Sequence, residues 1–335
     1  MKKISRAIIN LENKPAVVSY GAIVGKKESE GPLGAEFDET NVDSLFGQDT
    51  FEKAESHLQK RAVEIALSKA NMKNGDIDIV FAGDLLNQCI GSSFGLRDLD
   101  IPFVGLYGAC STMALSLAMA AISVNSGMAE YVAAVTSSHF CSAERQYRFP
   151  LEYGGQRTPT AQWTVTGSGA AIISKAENKP YISKIAIGKI VDLGIKDANN
   201  MGAAMAPAAW DTIKRFLQAT NAKPSDYDVI FTGDLGFLGS ELLYNLSEKE
   251  GIKLRNHHKD CGNMIFDREK QDVHCGGSGC GCSASVLCSH ILNKLNAKEY
   301  NRILFCATGA LLSPTSTMQG ESIPCVAHLV EICIL

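Results

Sequence analysis

One thiol stands out among the groups that could do chemistry. Cys110 lies in Gly108-Ala-Cys-Ser111, between the apolar residues 103–106 and a run of small residues that starts a helix at Ser111 or Thr112. A strand that turns a glycine corner into a helix sets such a thiol beside unpaired backbone N–H groups and the positive helix end, which favour thiolate. Gly108 and Ala109 leave room for a tight corner and for a ligand to come close. A small buried cysteine often only fills space, and the strand–corner–helix pattern is what argues for a site. Asp84 and Asp234 end two copies of a repeated strand. Ligands of α/β proteins gather at the carboxyl ends of parallel strands, so either acid could meet a chelated cation through its oxygens. Capping of the next helix is the commoner role for Asp there. Asp84 is the favoured acid because it shares a half of the chain with Cys110.

Residues 137–167 carry His139, Arg145, Arg148 and Arg157. An arginine fork suits a carboxylate in a two-point geometry, against the plainer reading of surface arginines on a solvated loop. His257, His258, Cys261, His274, Cys275, Cys280 and Cys282 form a second cluster. No paired C-x₂-C repeat appears in it, so zinc is not supported. Its glycine-rich segment, Gly276-Gly-Ser-Gly-Cys-Gly-Cys-Ser283, reads better as a loop whose backbone N–H groups, around Gly277, line a pocket. His258 or His274 would reach into that pocket, or else serve as structural histidines. The same loop lacks the Lys-Ser/Thr ending of a P-loop and the spacing G-x-G-x-x-G, which argues against a nucleotide.

The elements that must hold these groups come twice. Asp76-Ile-Asp-Ile-Val-Phe-Ala-Gly-Asp-Leu85 recurs as Asp226-Tyr-Asp-Val-Ile-Phe-Thr-Gly-Asp-Leu235. Before the first copy, Ala54, Leu58, Ala62, Ile65 and Ala66 mark one helical face; before the second, Pro207 marks a helix start and Trp210, Ile213, Phe216 and Leu217 a stripe. Further on, the Cys110 corner and the glycine-rich loop each open a small-residue helix, over 112–124 and 284–295. A repeat of half the chain means a duplicated domain and not a solenoid. The expected fold is α/β, with halves 1–178 and 179–335 in a five-layered α-β-α-β-α arrangement and the two small-residue helices back to back in its middle.

Composition bounds the rest. The chain has 335 residues, 45% hydrophobic and 20% charged, with a net charge of −4 and 7% aromatic residues. No basic field is available for nucleic acid. Eleven cysteines, an odd number in a long chain, read as reduced thiols. Residues 1–10 lack the apolar stretch of a signal peptide, and the apolar stretches 114–124 and 323–335 fall short of the roughly 20 residues that span a membrane. The expectation is a soluble protein, or at most a peripheral one.

The duplicated halves, the Gly108-Ala-Cys-Ser-Thr112 elbow and the glycine-rich C-terminal loop resemble the thiolase-like superfamily of thiolases and condensing enzymes. Four segments are more closely similar to the stage V sporulation protein AD family: Gly31-Pro-Leu-Gly-Ala-Glu-Phe-Asp38, Phe81-Ala-Gly-Asp-Leu-Leu86, Gly108-Ala-Cys-Ser-Thr-Met113 and Gly276-Gly-Ser-Gly-Cys-Gly-Cys-Ser-Ala284. Against the condensing enzymes, the strand 229–232 runs into Gly233-Asp234 where a catalytic His is usual, and the later glycine loop brings no Asn. Condensation needs donors that stabilise a thioester enolate, so the resemblance implies a pocket without that chemistry and not an enzyme. It implies binding of dipicolinic acid, free or as its calcium chelate, for uptake into the developing spore. The implied location is peripheral on the spore inner membrane, with hand-over to membrane proteins of the same sporulation operon and no cofactor or metal of the chain's own. The expected ligand-binding set is Cys110, Asp84, His139, Arg145, Arg148, Arg157, His258, His274 and Gly277. A homodimer through the sheet edge beside the Cys110 helix is expected by analogy. The competing reading is a Cys110-dependent acyl-CoA acyltransferase or condensing enzyme.

Overall fold

The repeated strands assemble into two sheets built on one plan. A computed structural model describes residues 1–147 and 157–334. The first half holds strands β1 (Pro15–Gly25), β2 (Ile79–Gly83), β3 (Phe103–Gly105), β4 (Val132–Ser138), the short β5 (Trp163–Thr164) and β6 (Gly167–Lys175). Its helices are α1 (Phe51–Lys69), α2 (Ile90–Leu96), α3 (Thr112–Ser126) and α4 (Phe140–Tyr147). The second half holds β7 (Tyr181–Ala186), β8 (Val229–Thr232), β9 (His258–Asp260), the short β10 (Gly277–Ser278), β11 (Arg302–Ala310) and β12 (Cys325–Cys333). Its helices are α5 (Met201–Thr220), α6 (Gly236–Glu248) and α7 (Cys280–Val286), the last continuing through a π-turn at Leu287–Ile291 into Leu292–Asn296.

The strand order is β3-β2-β4-β6-β1 in one half and β9-β8-β11-β12-β7 in the other. In each, three parallel strands are followed by two that pair antiparallel. The two five-stranded halves are continuous through the pair Tyr181 with Ala16, and the N-terminal strand Ile8–Asn10 adds to the second half by pairing antiparallel with Lys184–Ala186 of β7.

Side-chain alternation along the strands sorts the core into three slabs. Val80 and Ala82 of β2 face Ala54, Leu58, Ala62 and Ala66 of α1, while Phe81 between them faces inward. Ile230 of β8 and Leu304 of β11 face Trp210, Ile213 and Phe216 of α5, while Phe231 and Phe305 face inward. Between the sheets lie α3, through Met113, Ala114, Leu117 and Ala118, and α7, through Ala284 and Val286. The result is five layers, α-β-α-β-α. Each fully buried Phe of these slabs contributes on the order of 2–3 kcal/mol.

One expected boundary is corrected. Pro207 does not start α5 but lies inside it, six residues after Met201, and Asn200 caps the true start by accepting from the Ala203 N–H at 3.3 Å. The buried side chains Ala204, Met205 and Ala206 hold the extra turn against the core, offsetting the hydrogen bond that proline cannot make.

Candidate functional site

The Cys110 corner is a tight backbone device. A 3₁₀ turn, Ala109–Ser111, precedes α3, and Ala109 takes a positive φ of 49°. The Ser111 hydroxyl donates to the Gly108 carbonyl at 2.6 Å, and the Thr112 hydroxyl donates to the Ala109 carbonyl at 2.6 Å. Strand β11 wedges the corner from the second half. A Cβ on Gly309 would stand 2.0 Å from the Gly108 oxygen, so only glycine admits this approach.

The Cys110 thiol lies against the carboxylate of Asp234, which is wholly buried. Asp234 accepts from the Gly279 N–H at 2.9 Å and from the hydroxyls of Ser278 and Thr308, each at 3.1 Å. Burial pushes its carboxyl up to about 7, partly restrained by these donors and by the thiol. Burial first, and the Asp234 charge second, push the Cys110 thiol well above its ordinary value. The expected thiolate is therefore corrected. The positive helix end is outweighed by desolvation and by an anion at the same atom.

Above the thiol is a narrow cavity of about 40 Å³. Cys110, Glu144, Tyr147, Thr164, Ser278 and Leu312 are among its walls. Tyr147 is held by its hydroxyl, which donates to the Leu85 carbonyl at 2.5 Å and pairs with the Tyr107 hydroxyl at 3.0 Å. Among the described lining residues the one charged side chain is the carboxylate of Glu144, and none is cationic.

Of the residues singled out by sequence, Cys110 lines this cavity. The glycine-rich loop reaches it through Ser278, next to Gly277, whose own carbonyl accepts from Gln162 at 2.9 Å. Asp84 and Asp234 exchange roles relative to expectation. Asp84 accepts from the Ser92 N–H at 2.7 Å and the Ser92 hydroxyl at 2.6 Å, tying down the first turn of α2. It lies near Glu55, also buried, and burial raises both carboxyls, that of Glu55 to about 8.

The other candidates point elsewhere. His139 bonds the Ser44 carbonyl at 2.7 Å and faces a separate groove. Arg145 is half exposed and pairs with Glu52 at 3.1 Å. Arg157 lies on the Trp163 ring, 4.8 Å from its centroid, and Arg148 lies outside the described residues. His258 is buried with Nε2 2.8 Å from the Thr232 hydroxyl and Nδ1 2.9 Å from the Tyr244 hydroxyl. Because Thr232 donates its proton to Asp260 at 2.6 Å, this chain requires the Nε2–H tautomer. Burial keeps that ring neutral, with its pKa pushed down to about 3. His274 pairs with Asp272 at 2.9 Å on the surface.

Three wall residues on α4 escaped the sequence reading. Ala143, Glu144 and Tyr147 share one face of α4, a spacing that a helical reading of residues 140–147 would have shown. Among the described residues no group of three His, Cys, Asp or Glu side chains is placed to hold a metal.

Comparison with known proteins follows the same lines. A family model described as stage V sporulation protein AD matches residues 5–333. The stage V sporulation protein AD of Bacillus subtilis (strain 168) is 45% identical over 328 residues, 98% of this chain and 97% of that protein. The structure of 3-oxoacyl-[acyl-carrier-protein] synthase III from Aquifex aeolicus VF5 matches with a TM-score of 0.59 at 13% identity, covering 95% of this chain and 99% of its own. OleA of Xanthomonas campestris matches with a TM-score of 0.62 at 13% identity, covering 98% and 100%. These structures share with the chain a thiolase-like α/β fold.

Proposed function

The chain belongs to the stage V sporulation protein AD family, and from that premise we propose that its Cys110 cavity receives dipicolinate as the calcium chelate, for uptake into the developing spore. The observation that carries this reading is the charge of the cavity. Glu144 is in its wall, Asp234 is directly behind Cys110, and no cation is among the described lining residues. A free dicarboxylate would bring two further carboxylates to a wall that already has these two close to it. In the chelate, dipicolinate already supplies oxygen and nitrogen donors to calcium, an ion that takes 6–8 ligands, so coordination positions remain for a protein carboxylate. A cavity of about 40 Å³ admits only a few water-sized groups, so the ring seats as Tyr147, Met201 and Leu312 give way.

The reading is of a receptor and not an enzyme. A cysteine nucleophile is favoured by a lowered pKa, and burial, with the Asp234 charge second, raises that of Cys110. No histidine lines the cavity among the described residues. From the cavity the ligand would pass to membrane partners, which would also hold the chain at the spore inner membrane.

Calorimetric titration tests this with a predicted pH direction. Asp234 keeps a proton in the folded chain up to about pH 7. Its contribution to stability is therefore complete below about pH 4 and is lost as pH rises toward about 7. A calcium-bearing ligand favours the ionised carboxylate, so affinity for the chelate should rise between about pH 6 and about pH 8. The free dianion would show the opposite trend. Cys110→Ala should weaken binding, and acyl-CoA should leave no acyl mass on Cys110. Affinity for free dipicolinate above that for the chelate, or an acyl adduct, would overturn the reading.

We also propose that a second copy pairs at the edge strand β3. Phe103 and Val104 are exposed on it, with Tyr107 and Phe94 nearby in sequence also exposed, an apolar edge of the kind that invites strand pairing. Sedimentation should show a dimer that Phe103→Asp converts to monomer; a monomeric wild-type chain would reject the proposal.

A further inference from the structure

Glu55 is a buried acid that does not itself line the Cys110 cavity. It lies early in α1 and makes no ion pair among the described residues. The titratable groups acting on it are Asp84 at the end of β2, Glu52 one turn back on α1 and the Cys280 thiol of α7, none of them cationic. Arg145 of α4 is spent on Glu52 at 3.1 Å. Neighbouring buried carboxyls do not both ionise. Asp84 has the better claim to the charge, because it accepts from the Leu86 N–H at 2.9 Å as well as from both Ser92 donors.

The hydroxyls around Glu55 show where its proton belongs. The Ser142 hydroxyl of α4 stands 2.5 Å from one Glu55 oxygen and 3.1 Å from the His139 carbonyl, with one hydrogen for two acceptors. The Ser137 hydroxyl accepts from the Gln59 amide at 3.1 Å and stands 3.4 Å from the other Glu55 oxygen. With Glu55 ionised, Ser142 gives up the His139 carbonyl and the second oxygen keeps only the long Ser137 contact. With Glu55 protonated, its O–H donates to Ser142, Ser142 donates to His139, and Ser137 donates to the remaining oxygen. Every group then has a partner. Burial, with the Asp84 charge second, likewise pushes the Glu55 carboxyl up to about 8.

We propose that Glu55 holds a proton which it donates to Ser142, and that it is thereby the positioning residue for the first turn of α4. The last turn of α4 has its own anchor, since Tyr147 and Gln146 both donate to the Leu85 carbonyl, at 2.5 and 2.9 Å. Ala143 and Glu144 of the cavity wall lie between these two ties. When the first turn lifts, Glu55 meets water and releases its proton. The consequence for a ligand rests on the receptor reading; the positioning role does not.

Two ligand-free measurements on the full chain test this. Carbon-13 resonance of labelled glutamate carboxyls reads the proton, and the Glu55 signal is the one missing from Glu55→Gln. It should titrate near pH 8, far above the roughly 4.3 of an exposed glutamate. Amide hydrogen exchange over residues 141–147, corrected for the intrinsic pH dependence, reads α4. The folded carboxyl is raised, so the tie is complete below about pH 4, is lost progressively as pH rises to about 8, and changes no further above it. Protection of α4 should therefore fall about tenfold or more between about pH 6 and about pH 8, and clearly less over residues 58–66 of α1. Glu55→Gln, whose amide still donates to Ser142, should keep α4 protected without that fall. Ser142→Ala should lose protection even at the lower pH, and with the wild-type series it carries the test should Glu55→Gln fold poorly. A Glu55 signal in the ordinary carboxylate range overturns the proposal. So does α4 protection indifferent to pH, a fall that persists in Glu55→Gln, or an equal fall in α1, which would make Glu55 only a core contact. Because no ligand enters, these results stand or fall apart from the receptor reading.

Discussion

Glu144→Gln should weaken binding of calcium dipicolinate by roughly 30-fold or more, from the loss of at least about 2 kcal/mol of a buried charge interaction. Glutamine keeps the length and shape of the side chain and removes only the charge, so the cavity should stay intact. The effect should be selective. Binding of dipicolinate without calcium should hold or strengthen, because a like charge has been taken from the wall. Arg145→Gln is the matched control on the same helix. Its side chain is half exposed and spent on Glu52, and exposed pairs of this kind contribute about 0–1 kcal/mol, so binding should change less than about fivefold. Equal losses for chelate and free acid on Glu144→Gln would show that the carboxylate only shapes the wall. A larger loss for Arg145→Gln would move the site to the outer face of α4.

Gly309→Ala should be the most damaging single methyl in the chain for this site. Its Cβ would fall 2.0 Å from the Gly108 oxygen and 3.0 Å from the Ser111 nitrogen, both backbone atoms that cannot swing aside. Either β11 must leave its register with Val326, or the Cys110 corner must open and surrender the Ser111 and Thr112 hydroxyl bonds. Overpacking of this kind costs about 2–3 kcal/mol, which should show as a clearly lower melting temperature together with loss of dipicolinate binding. Gly75→Ala is the comparison, since nothing lies within 4 Å of the added carbon there. It should be neutral or slightly stabilising. Unchanged melting and binding for Gly309→Ala would mean that the corner is not held by β11 as described.

The parts of this architecture that are written locally were legible in the sequence. The copied strands around Phe81 and Phe231 and the alanine faces of α1 and α3 follow from spacing alone, and so does the corner at Cys110. What spacing does not show is which half's strand end meets that corner. The pseudo-twofold turns Asp234, a residue of the second half, onto a thiol of the first, while Asp84 is drawn to Ser92. Sharing a half of the chain with Cys110 does not bring Asp84 to the thiol. The thiolate expectation failed for a related cause. A helix end is visible in sequence, whereas complete burial and an anion 124 positions along the chain are not.

The arginines of residues 137–167 have a chemistry that suits a carboxylate, whereas the inward face of α4, with Glu144 and Tyr147, is marked in the sequence by helical spacing alone. His258 was buried by Tyr244 and Thr232, partners from two other elements.

The most direct measurement is a crystal structure of the chain with calcium dipicolinate, with the ion located by its anomalous scattering. Calcium is expected in the Cys110 cavity, bound to a Glu144 oxygen at about 2.3–2.6 Å, with the ring beside Tyr147 and Leu312 and the Cys110 sulfur unmodified. A chelate seated elsewhere on the chain, or dipicolinate in the cavity without calcium, would contradict it, as would a covalent adduct on Cys110.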